Sequence, residues 1–287
     1  MVKNVIWIPS SLLLCFTGFI LCANDRLASR RFCGYQHSDE YSRDSPNVTI
    51  NEFPWVAQLL YDDKRRVRCT GSLINNRYVL TSAQCVSNNQ NLVGVRLGDF
   101  NRTSVEDCVH HTIFGEECSE PVQEFEIDEI IPHPKFNKST SEDDIAVIRL
   151  SHNAQYTDYI RPICLPIPGS RDIGDKELAL SGWGILGRLQ NITEVKKKIL
   201  ASFVGLEECN AVYNKSGRTP NENNICAIEK TGRSCHGDGG GPLMLSVRNQ
   251  WEVVGILLYG VGCGMDAPSV YLNVANYVEW IQAQLKI

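Results

Sequence analysis

Short apolar runs, each ended by turn-forming residues, make up most of the chain after residue 52. They cover residues 54–61, 71–74, 78–81, 91–97, 145–150, 178–180, 199–204, 251–258 and 269–274. Glycine, asparagine and proline separate many of them. Short strand-like runs at such spacing are typical of an all-β barrel or sandwich.

The C-terminal stretch differs from this β pattern. Val274, Val278, Ile281 and Leu285 fall near one face of a helix, which an amphipathic period of about 3.6 residues produces. We therefore expect a C-terminal helix over 275–285 that packs on the β domain.

The first 23 residues are typical of a secretory signal. Lys3 precedes an apolar run over 12–21, and Ala23 is a small residue suited to cleavage. A membrane anchor is the alternative, but the dense apolar run is shorter than the roughly 20 residues that span a bilayer. No other stretch is apolar enough to span. We therefore expect a secreted, extracellular protein, with a polar arm over 24–44 that reads as loosely ordered and a single domain over 45–287.

The cysteine content agrees with an oxidising compartment. Of the 12 cysteines, Cys15 and Cys22 lie in the signal, so an even set of ten is left. Spacing does not settle their pairing, and no close Cys-x-x-Cys pair supports metal binding. Five Asn-x-Ser/Thr triplets are candidate glycosylation sites: Asn47, Asn101, Asn137, Asn191 and Asn214.

The net charge of the chain argues against a nucleic-acid-binding protein. The chain carries a formal charge of −5, with 21% charged and 43% hydrophobic residues. A nucleic-acid binder would usually show a basic patch. The composition is that of an ordinary globular protein with a sizeable core.

Three motifs resemble the catalytic segments of chymotrypsin-like serine proteases, in the same order along the chain. Residues 234–243, Ser-Cys-His-Gly-Asp-Gly-Gly-Gly-Pro-Leu, are similar to the family's Cys-x-Gly-Asp-Ser-Gly-Gly-Pro, with Gly239 at the nucleophile position. Thr-Ser-Ala-Gln-Cys at 81–85 places Gln84 at the histidine position. Asp-Asp-Ile-Ala-Val at 143–147 places Asp144 at the position of the orienting aspartate.

The resemblance extends from about Phe53 to the C-terminus and implies a fold. Further landmarks are Pro-Ile-Cys-Leu-Pro at 162–166, Gly-Trp-Gly at 182–184 and Pro-Ser-Val-Tyr at 268–271. The implied architecture is two packed six-stranded antiparallel β-barrels with a C-terminal α-helix. The chain resembles the non-catalytic serine protease homologues of arthropods, in a form without a clip domain.

The triad positions cannot supply the family's chemistry as they stand. The Gln84 amide does not take up a proton near neutral pH, and Gly239 has no side chain to attack a carbonyl. We expect a structural role for Asp144, which would accept a hydrogen bond from Gln84. The backbone N–H groups of Gly237 and Gly239 would be the remnant of an oxyanion hole.

Asp238 matches the aspartate that, in active members of the family, binds the α-amino group released by chain cleavage. The segment at that cleavage position reads Arg-Asp-Ser-Pro-Asn-Val over 43–48 instead of beginning with Ile-Val-Gly-Gly. The resemblance therefore predicts that Asp238 lacks its usual partner and that its loop stays zymogen-like. A neighbouring side chain is the alternative partner.

The positions of the primary specificity pocket have also changed. The resemblance places Arg233 at the pocket floor, Ser269 on its wall, and Tyr259 and Gly260 beside the substrate backbone. An arginine at the floor would repel a basic side chain, so one interpretation is a pocket for an acidic group. The other, which we prefer from the sequence, is that Arg233 turns to solvent.

Five disulfide pairs and one calcium loop are also implied by the resemblance. The pairs are Cys33–Cys164, Cys69–Cys85, Cys108–Cys118, Cys209–Cys226 and Cys235–Cys263. The calcium ligands would be oxygen atoms of Asp99, Asn101, Glu106 and Asp107, with an acidic surface loop without metal as the alternative.

The resulting hypothesis is a secreted pseudoprotease without a cofactor. It would bind extracellular partners, active serine proteases or zymogens, as a cofactor or regulator of a proteolytic cascade such as innate immunity or melanisation. The first alternative is a trypsin-like endopeptidase with residual or unorthodox activity. The second is an extracellular adhesive or matrix protein.

Overall fold

The computed structural model describes residues 27–37, 48–62, 68–87, 91–111, 115–170, 173–185, 193–214, 217–263 and 265–286. The expected signal, the sequons at Asn47 and Asn191, and the presumed cleavage segment up to Asn47 lie outside them. None of the helices in this described part has the length and apolar character that a membrane crossing requires.

Two closed antiparallel barrels of six strands each form the molecule, which confirms the predicted fold. The first barrel runs in the order β1-β2-β3-β8-β7-β4. Its strands are β1 (Val56–Tyr61), β2 (Thr70–Leu73), β3 (Tyr78–Thr81), β4 (Leu92–Leu97), β7 (Gln123–Pro132) and β8 (Ala146–Leu150). Closure removes the unpaired strand edges that an open sheet would expose.

The second barrel has the order β10-β11-β14-β13-β12-β9. Its strands are β9 (Glu177–Gly182), β10 (Lys197–Val204), β11 (Asn224–Glu229), β12 (Pro242–Val247), β13 (Gln250–Tyr259) and β14 (Ser269–Asn273). A separate hairpin pairs β5 (Cys108–His111) with β6 (Gly115–Cys118).

Within the described ranges, three short α-helices lie outside the barrels: α1 (Ala83–Val86), α2 (Leu206–Tyr213) and α3 (Val278–Gln284). The expected C-terminal helix is therefore present, preceded by a 3₁₀ turn over Val274–Asn276. Val278, Ile281 and Leu285 are buried in the larger hydrophobic cluster, which fills the first barrel and the interface between the barrels. A second cluster fills the interior of the other barrel.

The segment 27–37 is packed onto the second barrel, contrary to the expectation of loose order. Gly34 exchanges backbone hydrogen bonds with Pro162 and Trp251 at 2.7–2.8 Å. A Cβ atom at Gly34 would lie 2.3 Å from the Trp251 carbonyl oxygen, so only glycine allows this approach. The buried Cys33 is bridged to Cys164.

The ten cysteines of the described chain are joined in the five pairs that the resemblance implies. Two of the bridges brace the site described below, because Cys69–Cys85 ties β2 to α1 and Cys235–Cys263 ties the loop before β12 to the loop after β13. Each disulfide restricts the unfolded chain, and this typically stabilises the folded state by about 2–4 kcal/mol.

Candidate functional site

The two barrels meet at a cleft where the three triad positions come together. Gln84 lies on α1 after the first barrel's β3, and Asp144 lies directly before β8. Gly239 belongs to the loop that leads into β12 of the second barrel. Gln84 and Gly239 line the same cavity of about 420 Å³. The fold thus brings together residues that are far apart in sequence.

The side-chain amide of Gln84 binds a backbone carbonyl and not the carboxylate of Asp144. Its Nε2 donates to the Leu258 carbonyl at 2.9 Å. Its backbone N–H donates to Asp144 Oδ1 at 2.8 Å, so the expected bond between the two residues is made by the main chain and not by the side chain. The amide therefore fixes α1 against β13, which is a structural contact.

Asp144 is fully buried and only half satisfied. Its Oδ2 has no hydrogen-bond partner among the described residues. Burial raises the pKa of Asp144 to about 7, although the backbone N–H groups of Gln84 and Ala83 oppose that shift. A buried acceptor without a donor is costly. The free oxygen is available to a donor that the Gln84 side chain does not provide.

Gly239 leaves room for a side chain. A Cβ atom built there would have Cys69 Sγ as its one close neighbour, at 3.9 Å, which is ordinary contact. Gly240 is different, because its φ is +76° and a Cβ atom would lie 2.3 Å from Thr81 Oγ1. A serine would therefore fit at 239 and not at 240.

The backbone N–H groups of Gly237 and Gly239 could form the remnant of an anion-binding site. Gly237 adopts φ +103°, and its carbonyl accepts from Thr70 Oγ1 at 2.9 Å. Within the described residues, the N–H groups of Gly237 and Gly239 donate to no protein acceptor, and both residues line the cavity. Unpaired amides in such a position can bind a carbonyl oxygen.

Asp238 has a partner, and it is the alternative that the sequence left open. Lys197 Nζ lies 2.5 Å from Asp238 Oδ2, with both side chains under 10% exposed. The backbone N–H of Cys235 donates to the same oxygen and that of Gly184 to Oδ1, each at 2.9 Å. The ammonium group also donates to the Gly184 carbonyl at 2.9 Å. The carboxylate is thus neutralised and hydrogen-bonded on both oxygens.

Arg233 neither reaches into the cavity as a free cation nor extends freely into solvent. Its guanidinium donates to the carbonyls of Glu229 and Gly232 at 2.6 Å, and it forms an ion pair with the exposed Asp266. These contacts hold the charge at the cavity wall, and the two sequence interpretations of Arg233 stay predictions.

Glu229 occupies the cavity floor, a position that the sequence reasoning missed. It lines the cavity and is 5% exposed. Its Oε1 accepts from Ser234 Oγ, from Ser269 Oγ at 3.1 Å and from Tyr271 OH at 3.2 Å. Burial next to this carboxylate raises the pKa of Tyr271 well above its ordinary value. The period-2 alternation of β11 was the available signal, since Ile225, Ala227 and Glu229 are all buried.

Tyr259 and Gly260 form the upper wall. The Tyr259 ring packs edge-on against Tyr213 at 5.5 Å, and the Arg218 guanidinium lies 4.2 Å from its centroid. A Cβ atom at Gly260 would lie 3.4 Å from Ser269 Oγ, so a side chain there would narrow the cavity.

The expected calcium loop has a different organisation. Asp107 accepts from the backbone of Phe100 and Asn101 at 2.9–3.0 Å, and Asp99 pairs with Arg96 at 3.3 Å. Both carboxylates are buried, whereas Glu106 is exposed. These contacts hold the loop with protein groups, whereas Asp99 Oδ1 is buried with no hydrogen-bond partner among the described residues. The calcium site stays a prediction.

Two of the described sequons, Asn137 and Asn214, are exposed, and the third, Asn101, is partly exposed. Glycosylation at these positions stays a prediction.

Comparison with known proteins shows which family the chain belongs to. The sequence model of the family described as Trypsin matches residues 44–281. The CLIP domain-containing serine protease B9 of Anopheles gambiae is 36% identical over 252 residues, which are 84% of this chain and 62% of that protein. Phenoloxidase-activating factor 3 of Holotrichia diomphalia is 34% identical over 282 residues, 94% of this chain and 79% of that protein.

A solved structure agrees with these relatives. The crystal structure of the Drosophila Grass clip serine protease of the Toll pathway matches with a TM-score of 0.74 and 26% identity, covering 93% of this chain and 77% of that one. The chain spans 62% of the length of the Anopheles relative, so the activities of such whole proteins do not transfer by similarity alone. The family model matches most of the chain, and the chain folds into two barrels with a cleft between them. The chain therefore belongs to the trypsin family of serine proteases.

Proposed function

We propose that the chain is a non-catalytic serine protease homologue that binds other proteins of an extracellular proteolytic cascade. One observation carries the proposal: an intact cleft holds Gln84 and Gly239 where a base and a nucleophile are needed. Loss of either group alone costs a triad protease about a million-fold in kcat, and the losses do not add. The remaining function of such a cleft is binding.

The cascade context rests on the relatives. A phenoloxidase-activating factor and a Toll-pathway protease are named among them. Five disulfides are consistent with an extracellular site of action. Partners in this proposal are active serine proteases or their zymogens.

A fluorophosphonate probe and a broad peptide library test the absence of catalysis. The purified wild-type chain is expected to be silent in both assays. The variant Gln84→His/Gly239→Ser is expected to react with the probe, because the serine fits at 239 and an imidazole could donate to Asp144 Oδ2. The single variants serve as controls and should react far more slowly. Turnover by the wild type would overturn the proposal.

The regulatory role needs a separate assay. Purified chain added to a reconstituted phenoloxidase cascade should change the rate of phenoloxidase activation in proportion to its concentration. A heat-denatured sample is the control. An unchanged rate, together with resistance of the native protein to extraction by mild salt, would favour the adhesive or matrix alternative instead.

A further inference from the structure

We propose that a cavity on the outer face of the first barrel binds an acidic segment of a partner protein, with Arg102 and Gln58 as its donors. This cavity has a volume of about 410 Å³ and shares no described lining residue with the cleft between the barrels. The inference goes beyond the proposed function, because this surface would bind whether or not the cleft has any catalytic activity.

The strand register forms the cavity from two rows of outward-facing residues. Strand β4 pairs with β1 on one side and with β7 on the other. Val95 and Phe125 are buried in the core, so their neighbours along each strand face outwards. The two rows are Gln58–Arg96–Glu124 and Leu60–Gly94–Glu126.

Gly94 creates the hollow in the second row. It has no side chain, so a gap separates Leu60 from Glu126. A Cβ atom at Gly94 would lie 2.8 Å from the Phe125 carbonyl oxygen and 3.6 Å from Leu60 Cδ1. Glycine inside a strand often marks a place where a ligand or another backbone comes close. Here it keeps the floor of the cavity open.

Gln58 supplies a buried donor that has no acceptor. The residue is 4% exposed, and its Nε2 has no hydrogen-bond partner among the described residues. Its neighbour in the row, Arg96, is itself a donor and is bound to Glu124 and Asp99 at 2.9 and 3.3 Å. A buried donor without an acceptor is costly, so a ligand oxygen at this position removes a penalty that the free chain carries.

Arg102 supplies a cation that has no partner. Its Nε is buried, and none of the hydrogen bonds or ion pairs found in the described part of the chain includes its guanidinium. Burial lowers the pKa of Arg102, and the attraction of Asp99 opposes that shift. The group stays charged, and its planar fork fits the two oxygens of a carboxylate.

The backbone holds Arg102 at the cavity before any ligand binds. Its N–H donates to the Glu194 carbonyl at 2.9 Å, and the preceding Asn101 pairs with Val195 of the second barrel. Asp107 accepts from the Asn101 N–H at 3.0 Å. A fixed backbone lowers the ordering cost that binding would otherwise include.

The remaining groups specify the class of ligand. Arg96 is neutralised by its two acidic partners, so Arg102 is the cation left for an incoming carboxylate. Val93, which is 52% exposed, and Leu60 add an apolar wall. A small inorganic anion would leave that wall uncovered. The ligand that matches both features is a protein segment with an aspartate or glutamate next to an apolar side chain.

Three capped peptides test this site on the wild-type chain. They are acetyl-Gly-Leu-Glu-Leu-Gly-amide and its versions with Gln or Lys in place of Glu. Surface plasmon resonance on the immobilised chain, with peptide up to millimolar concentration, should show saturable binding of the glutamate peptide. The glutamine peptide should bind roughly 10-fold more weakly or worse, since a charge-assisted hydrogen bond is lost, and the lysine peptide should not bind. Added salt should weaken the glutamate peptide.

Two results with these probes would overturn the proposal. Equal affinity for the glutamate and glutamine peptides would exclude a carboxylate site. Inorganic sulfate that competes as well as the unlabelled glutamate peptide would mean a plain anion site and no recognition of a protein segment.

Arginine variants locate the binding group. Arg102→Gln should weaken the glutamate peptide roughly 10- to 100-fold. The matched control Arg248→Gln removes the same charge from an exposed arginine between β12 and β13 and should leave the affinity unchanged. Arg102→Lys keeps the charge but loses the planar fork, so its affinity should be intermediate. Equal losses in Arg102→Gln and Arg248→Gln would contradict the assignment.

Two further variants separate binding from stability. Gln58→Met removes the unsatisfied donor, so it should raise Tm while it weakens the glutamate peptide. Glu126→Gln removes an exposed negative charge from the cavity wall and should tighten binding. Unchanged peptide affinity in Gln58→Met, or weaker binding by Glu126→Gln, would overturn the proposed site.

The outcomes are independent of the proposed function. A chain that binds the glutamate peptide through Arg102 but reacts with the fluorophosphonate probe keeps this site and loses the pseudoprotease proposal. A chain that is silent towards the fluorophosphonate probe and does not bind the peptide keeps that proposal and loses this site.

Discussion

The charge of Asp144 should make the chain less stable as pH rises from about 4 to about 7. Burial raises the pKa of Asp144 from its ordinary value of 3.8 to about 7 in the folded chain. The folded state therefore binds a proton in this range that the unfolded state has released. Stability is highest with the carboxyl protonated, falls as pH rises through the window, and stays low above pH 7.

The size of this effect follows from the two pKa values. A difference of roughly three units corresponds to about 4 kcal/mol, since each unit is worth about 1.4 kcal/mol. Asp144→Asn keeps an oxygen for the Gln84 N–H and removes the titration. The variant should come closest to the wild type at the acidic end of this range and exceed its stability by a few kcal/mol at pH 8.

Urea unfolding at half-unit steps from pH 4.5 to pH 8 measures the free energy of unfolding of both proteins. The difference between the two curves is the relevant quantity, because burial also lowers the pKa of His133, which titrates in both. Gln84→His provides a second check: an imidazole donor to the free Oδ2 would stabilise the carboxylate and shift the fall to lower pH. A difference that does not change with pH would refute the reasoning.

Three further predictions concern the glycines and the arm. Gly239→Ser should change Tm by less than about 3 °C, whereas Gly240→Ser should lower Tm severely, because the Cβ atom at 240 would lie 2.3 Å from Thr81 Oγ1. Differential scanning fluorimetry measures both Tm values. Equal Tm shifts for the two variants would contradict the geometry. Replacing Cys33 and Cys164 by serine should cost about 2–5 kcal/mol in chemical denaturation, because the bridge spans 131 residues. The same variant should release the 27–37 segment to limited proteolysis, and unchanged protection would mean that backbone pairing with β13 alone holds it.

The sequence by itself determined the fold and the limits of the chemistry. Alternating apolar runs and turn residues specify strands, because side chains that face a barrel interior recur every second residue. Strands β7, β11 and β12 are absent from the predicted runs. In β7, acidic residues occupy three exposed positions, so its apolar positions do not stand out as a run. The sequence alone also shows that the Gln84 amide cannot take up a proton near neutral pH and that Gly239 has no side chain.

Only the tertiary structure decided how the site is held together. Lys197 is 41 residues from Asp238 along the chain, and the antiparallel packing of β9, β10 and β12 brings the two charges together. Glu229 becomes the cavity floor because β11 pairs with β14 and turns Ser269 and Tyr271 towards it. Such contacts depend on which strands are neighbours and on their register, and no local pattern of residues specifies either.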